Sequence, residues 1–376
     1  MRVGLIGTGG FGRFVLQGYA LTPDVTVVAV ADTLAERAKA VAGEFGVARS
    51  FDRYEDLVGC DEVDLVHIVT PPPVHHEMAI AALTAGRPVL CEKPLAMDSA
   101  EAAAMRDAAI AAGVVHAVDH EMRYDPLHRH ARRLLAEGYV GEIRLASLQL
   151  VVNYGCNPLY PTNYAHWTVQ RSAGGGTLAQ HVIHFLDLAR FLFGDVTVLG
   201  GTMATAQPVR PVLGPEVQPG DPLGPDVPTA GEGPCDGDDT VALHGTLPGG
   251  GVLAVASTWS ALHPSGAAWE IYGSEGTLRL STAHGLTGAR HDETELAPLA
   301  APAELAPPGM DALAPDLLRR SGVVDGPALL GLFAGLAQDV AAAVEGRDSA
   351  RIFPTFDDGL ANQENIDVLS RASEAR

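Results

Sequence analysis

The chain has 376 residues, 46 acidic against 25 basic, for a net charge of −21, and 47% of it is hydrophobic. That length suits two domains and that composition fills two cores, while the negative charge argues against nucleic acid or an anionic membrane surface as a partner. No apolar run is long enough to span a bilayer, and Cys60, Cys91, Cys156 and Cys235 lack metal or disulfide spacing, so the chain reads as a cytoplasmic protein with free thiols.

The first ten residues, MRVGLIGTGG, read as a strand and a glycine turn and not as a leader. Short β-branched runs at 3–6, 25–31, 48–51, 65–69, 89–91 and 114–118 then alternate with helical stretches at 11–21, 33–45, 74–85 and 99–112. Thr33 with Glu36, and Asp98 with Glu101, have capping-box spacing; Gly46, Gly86 and Gly113 stand where helices stop. This alternation predicts a parallel sheet with helices on both faces. After about residue 122 the pattern changes. A helix at 126–137 precedes strands at 143–153, 196–206, 240–247, 251–259, 268–273 and 276–281, with hairpin glycines at 248–251 and 273–276. Helices are expected at 177–192, 327–345 and 357–374, and long surface loops at 207–238 and 292–326. The expected fold class is therefore α/β: an N-terminal parallel sheet with helices on both faces over residues 1–122, and a C-terminal α/β domain with a largely antiparallel sheet over 123–376.

GTGGFG places glycines at 7, 9 and 12 directly after the first strand. Gly7 allows the tight turn, Gly9 lets the backbone approach a pyrophosphate, and Gly12 lets the next helix pack on the strand. Gly10 and Phe11 lie within the same turn. Asp32 follows Gly12 by twenty residues, at the end of the second strand, where it would accept hydrogen bonds from a ribose and repel a 2′-phosphate. No Arg directly follows Asp32, and Arg37 is five residues on, so NAD is favoured over NADP.

The fourth and fifth strands end in VTPPPVHHE (69–77) and CEKPL (91–95). Ligands of open α/β sheets bind beyond the carboxyl ends of strands, which brings Thr70, Pro71, His75, Glu92 and Lys93 toward the nicotinamide. Lys93 is one of only two lysines in the chain. A third cluster, GGGTLAQHVIHFLDL at 174–188, puts Gln180, His181 and His184 on part of one helical face. His181 and His184 lack a third ligand at a metal-binding spacing, so no metal is expected. Arg123, Tyr154, Trp167 and Arg171 are candidate substrate contacts.

The ordered set of GTGGFG, Asp32, TPPPVHHE, CEKP, RYDP at 123–126, GGG before a helical histidine, and FPTFDDG at 353–359 resembles the glucose–fructose oxidoreductase / inositol dehydrogenase / rhizopine catabolism (Gfo/Idh/MocA) family over nearly the whole length. The resemblance implies a Rossmann domain followed by an α/β domain with an open, largely antiparallel sheet. It implies oxidation of a secondary alcohol to a ketone, or of an aldose to a lactone, on a sugar, sugar derivative or cyclitol. Lys93 matches the family lysine that contacts the reacting hydroxyl, and His184 matches the catalytic histidine. A cis bond before Pro94 and a homodimer or homotetramer are also implied. One departure stands out: the family commonly has Asp four residues before that histidine, where this chain has Gln180. An amide cannot stabilise an imidazolium as a carboxylate does, so His181 or Lys93 could carry more of the proton transfer. Two other functions remain open: transient oxidation by bound NAD during glycoside cleavage, and a non-catalytic dinucleotide-binding regulator.

Overall fold

From Val3 to Ile6 the first strand is buried on both faces, the mark of a central strand in a covered parallel sheet. The computed structural model describes residues 1–153, 166–214, 228–307 and 326–374. Its strands β1 (Arg2–Ile6), β2 (Thr26–Ala31), β3 (Arg49–Phe51), β4 (Leu65–Ile68), β5 (Val89–Cys91) and β6 (His116–Val118) pair in parallel in the order β3-β2-β1-β4-β5-β6. The order reverses between β1 and β4, where doubly wound sheets open a crevice at their carboxyl edge.

Helices α1 (Gly10–Ala20), α2 (Ala35–Phe45), α3 (Tyr54–Val58), α4 (His75–Thr84) and α5 (Ser99–Ala112) belong to the same unit. The expected cap on α5 forms: Asp98 accepts from Glu101 N at 2.8 Å, and Glu101 accepts from Met97 N at 3.1 Å. The cap expected from Thr33 does not form. Helix α2 starts after Leu34 with no side-chain cap, and the Asp32 carboxylate takes the Leu34 N–H at 3.0 Å. Helix α3 was absent from the sequence reading because five residues are too few to show a period.

Contacts between Cα atoms group Met1–Glu121 with Leu330–Glu364, so part of the C-terminal segment builds the first unit. Helix α6 spans Pro126–Ala136 and α7 Ile183–Phe193; the last two helices are α8 (Gly326–Val344) and α9 (Phe356–Glu374). Phe333 of α8 fills the notch left by Gly18, where an added Cβ would lie 2.4 Å from the ring.

The second unit holds α6, α7 and a mixed sheet of β7 (Ile143–Val151), β8 (Thr197–Ala204), β11 (Thr240–Thr246), β12 (Val252–Thr258), β13 (Gly266–Gly273), β14 (Gly276–Ser281), β15 (Gly285–Arg290) and β16 (Ala297–Pro298). Every pairing is antiparallel except β7 with β12 at the centre. Strand β11 alternates exposed and buried residues without a break, as a sheet with one covered face requires. Helix α7 lies on that covered face, with Phe193 edge-on to the buried Trp269.

The stretch 207–238, read from sequence as a loop, contains the paired strands β9 (Val209–Leu213) and β10 (Thr229–Pro234). The segment TAGEGP of β10 carries no apolar alternation, so no period marked it. Among the described residues, no helix is long and apolar enough to cross a membrane.

Candidate active site

The turn after β1 separates glycines that the fold needs from one it does not. Gly7 has φ +101°, and a Cβ there would lie 2.6 Å from Val69 O. A Cβ on Gly12 would lie 2.1 Å from Gly7 O. Gly9 caps α1 at φ −67°, which any residue adopts, and a Cβ there would meet nothing within 4 Å. The open space over Gly9, in front of the free N–H groups of α1, therefore fits a ligand phosphate. Gly10 opens α1, and Phe11 stacks on Phe14.

Asp32 ties this turn to the end of β2. Its carboxylate accepts from Thr8 N at 2.9 Å, Thr8 Oγ1 at 2.7 Å and Leu34 N at 3.0 Å. Arg37 donates to the same carboxylate from Nη2 at 2.7 Å and Nε at 3.0 Å. Burial works against the Asp32 charge, but Arg37, Leu34 and Thr8 outweigh it and hold the group below its ordinary range. Thr8, fully buried, was missed in the sequence because it occupies a variable position of the glycine motif; a small polar residue there was the only signal.

At the other sheet edge, His75 knits two loops together. Its Nε2 lies 2.7 Å from Thr70 O and its Nδ1 3.0 Å from Pro94 O. Pro71 is exposed beside this link, and the Lys93–Pro94 bond is cis. Lys93 is partly buried immediately past β5. Beneath it three acidic residues are packed away from water: Glu92 (6% exposed), Asp119 (2%) and Glu121 (6%). Burial raises the Glu92 carboxyl to about 7, partly opposed by Lys93. Burial and the neighbouring carboxylates raise Asp119 and Glu121 well above their usual range. His67, wholly buried on β4, is pushed down to about 3 by burial and is neutral. Asp119, Glu121 and His67 were not picked out from sequence, because only strand register brings them beside Glu92.

In the second unit the triple glycine has structural causes. A Cβ on Gly175 would lie 2.5 Å from Thr168 O, and one on Gly176 would lie 2.5 Å from Asp238 Oδ1. This close approach lets Asp238 seize the start of the histidine-bearing helix: its backbone carbonyl accepts from Thr177 N at 2.7 Å and its carboxylate from Leu178 N at 2.8 Å. Burial raises the Asp238 carboxyl to about 6. Asp238 was missed because residues 207–238 read as loop.

The helix opens with an i→i+5 turn over Leu178–Val182 before α7 begins. Such a turn rotates less per residue, so His181 swings further from His184 than α-helical spacing implies. His181 meets Trp259 edge-to-face at 5.4 Å. Gln180 donates through Nε2 to Gly174 O at 2.8 Å, bracing the glycine turn. His184 is half-buried in the first turn of α7. Arg123 makes a buried fork to Asp187 of α7 at 2.6 and 2.7 Å, and its guanidinium lies over Phe191. Arg171 N donates to Asp236 Oδ1 at 2.8 Å, and Trp167 lies in the short turn before it. Tyr154 lies outside the described residues.

Residues 1–120 match the model described as the oxidoreductase family with an NAD-binding Rossmann fold, and residues 128–279 match the GFO/IDH/MocA C-terminal domain. The chain is 31% identical over 291 residues to levoglucosan dehydrogenase of Pseudarthrobacter phenanthrenivorans, spanning 74% of this chain and 73% of that one. It is 37% identical over 195 residues to 1,5-anhydro-D-fructose reductase of Ensifer adhaerens, spanning 52% and 57%. Among solved structures, levoglucosan dehydrogenase in complex with NADH and L-sorbose superposes with a TM-score of 0.82 at 26% identity, covering 100% of this chain and 97% of that one.

Proposed function

The chain belongs to the GFO/IDH/MocA oxidoreductase family, and from that footing we propose that it oxidises a secondary alcohol to a ketone, or an aldose to a lactone, with NAD. The substrate class we assign is a sugar, sugar derivative or cyclitol. Relatives named for levoglucosan, 1,5-anhydro-D-fructose and inositol support that class. The observation that carries the reading is that one carboxyl edge of the parallel sheet presents both the open Gly9 turn and Lys93.

Bound NAD supplies the hydride acceptor. The α1 N-terminus and Gly9 would hold its pyrophosphate, and Asp32 would accept from a ribose hydroxyl. The Lys93 ammonium would stabilise alkoxide charge developing on the substrate oxygen. His184 would accept the proton of the substrate hydroxyl. Gln180 orients this region through the Gly174 carbonyl and adds no charge to steady an imidazolium. The test is a panel of sugars, cyclitols and sugar nucleotides with NAD, followed by absorbance of reduced nicotinamide. Turnover of at least one ring polyol is expected. No turnover of any member, with NAD bound, would contradict the assignment.

A further inference from the structure

Three adjacent strands of the parallel sheet each bring one polar residue to the same place. Register pairs His67 with Leu90 and Leu90 with Ala117. The ladder runs on past the strand ends, with Glu92 N donating to Ile68 O at 2.9 Å and Asp119 N to Cys91 O at 2.8 Å. Side chains alternate in a strand, so His67, Glu92 and Asp119 all project from one face. All three are buried, His67 completely. One imidazole nitrogen and one oxygen from each carboxylate lie within 4.8 Å of one another.

The same three residues also carry polar atoms left without a donor or acceptor. His67 Nε2, Glu92 Oε1 and both Asp119 oxygens are buried with no hydrogen-bond partner. Buried polar atoms are nearly always satisfied, so four unpartnered ones on three converging residues call for a partner. Ionised carboxylates accept only, so two carboxylates held this close need a proton or a cation between them. The imidazole is also prepared as a ligand. Its Nδ1 lies 3.0 Å from the Tyr19 hydroxyl, and its ring lies parallel to Phe333. Metal-bound histidines characteristically have the second nitrogen fixed in this way, which sets the tautomer and aims the first.

We propose that His67, Glu92 and Asp119 form a buried site for one divalent transition-metal ion of the zinc class, with Glu121 supporting Asp119 from behind. An imidazole with two carboxylates is a donor set such ions accept, and two carboxylate charges neutralise the ion. Closing onto an ion at about 2.0–2.2 Å draws the side chains inward by small rotamer adjustments. The site would brace β4, β5 and β6 directly below Lys93. It is independent of the dehydrogenase reading, and it departs from the expectation of no metal, which weighed only His181 and His184.

The test uses tag-free, full-length protein. Elemental analysis should find about one zinc per chain, or dialysed protein should take up one equivalent of Zn²⁺ with a rise in Tm. Co²⁺ added to the dialysed protein should give visible absorption bands. Asp119→Asn and Glu92→Gln, which keep side-chain shape, should each weaken binding at least about tenfold. His67→Phe, which keeps a ring against Phe333, should abolish the cobalt bands. If one variant fails to fold, the others carry the comparison. Wild-type protein that holds no zinc and shows neither Tm shift nor cobalt bands would overturn the proposal. Unchanged binding in the folded variants would overturn it equally, by placing the ion elsewhere.

Discussion

Arg37 forks onto the Asp32 carboxylate, with Nη2 2.7 Å from Oδ1 and Nε 3.0 Å from Oδ2. Arg37 is thus already paired with the carboxylate proposed to read the ribose. We expect NAD(H) to bind more tightly than NADP(H), because a 2′-phosphate would meet Asp32 and find Arg37 engaged. Asp32→Ala frees Arg37 and should narrow the preference by about tenfold or more, roughly 1.4 kcal/mol. Calorimetric titration with both cofactors checks this. Equal affinities in the wild type would show that Arg37 leaves Asp32 for the phosphate.

The two glycines on either side of the α1 N-terminus should separate binding from folding. Gly12→Ala forces a Cβ to within 2.1 Å of Gly7 O and should cost about 1–3 kcal/mol of stability or prevent folding. Gly9→Ala meets nothing within 4 Å, so Tm should hold while NAD affinity falls. A Gly9→Ala protein that binds NAD normally would remove this turn from the phosphate site.

Lys93→Ala should lower turnover about 10²–10⁴-fold with cofactor affinity nearly intact. Lys93→Arg should rescue poorly, because a guanidinium has a different shape and holds its proton. Near-normal turnover in the alanine variant would take Lys93 out of the chemistry.

His184→Ala should lower the rate less than Lys93→Ala does, since Gln180 gives the imidazolium no charge to lean on. Gln180→Asp should raise the apparent pKa of the oxidation-rate profile by restoring that charge, at the expense of the hydrogen bond to Gly174 O. A pH–rate series on one identified substrate decides. An unmoved profile would uncouple position 180 from the base.

Asp238 makes a stability prediction. Burial raises its folded pKa from the ordinary carboxylate range to about 6. A raised folded pKa means the folded state holds its proton more tightly. This stabilising contribution is full below the unfolded pKa and is lost as pH rises through about 6, a span of roughly 2–3 kcal/mol. Asp238→Asn keeps an acceptor for Leu178 N and cannot ionise. Its Tm should therefore change less between pH 4 and 8 than that of the wild type. Parallel curves would mean that Asp238 is ionised at little cost.

Most of the nucleotide-binding unit was legible because its signals are local. GTGGFG, the strand that precedes it and Asp32 follow one another along the chain, and a parallel sheet follows from alternating strands and helices. What stayed hidden is what register and packing create. His67, Glu92 and Asp119 are dispersed in sequence and meet only because β4, β5 and β6 lie side by side. The triple glycine was visible, but its cause was not: Asp238 lies 62 positions beyond Gly176, in a stretch without apolar period. Arg123 read as a pocket cation, and only the fold reveals its partner, Asp187.

The central claim is NAD-linked oxidation of a ring polyol through Lys93. The most direct measurement is the rate of nicotinamide reduction by wild type and Lys93→Ala on the best substrate of the sugar and cyclitol panel, with NAD binding measured in both. The account predicts steady turnover in the wild type, near-complete loss in the variant, and equal NAD affinity. Turnover that survives in Lys93→Ala, or a wild type that binds NAD yet reduces it with no sugar or cyclitol, would contradict it.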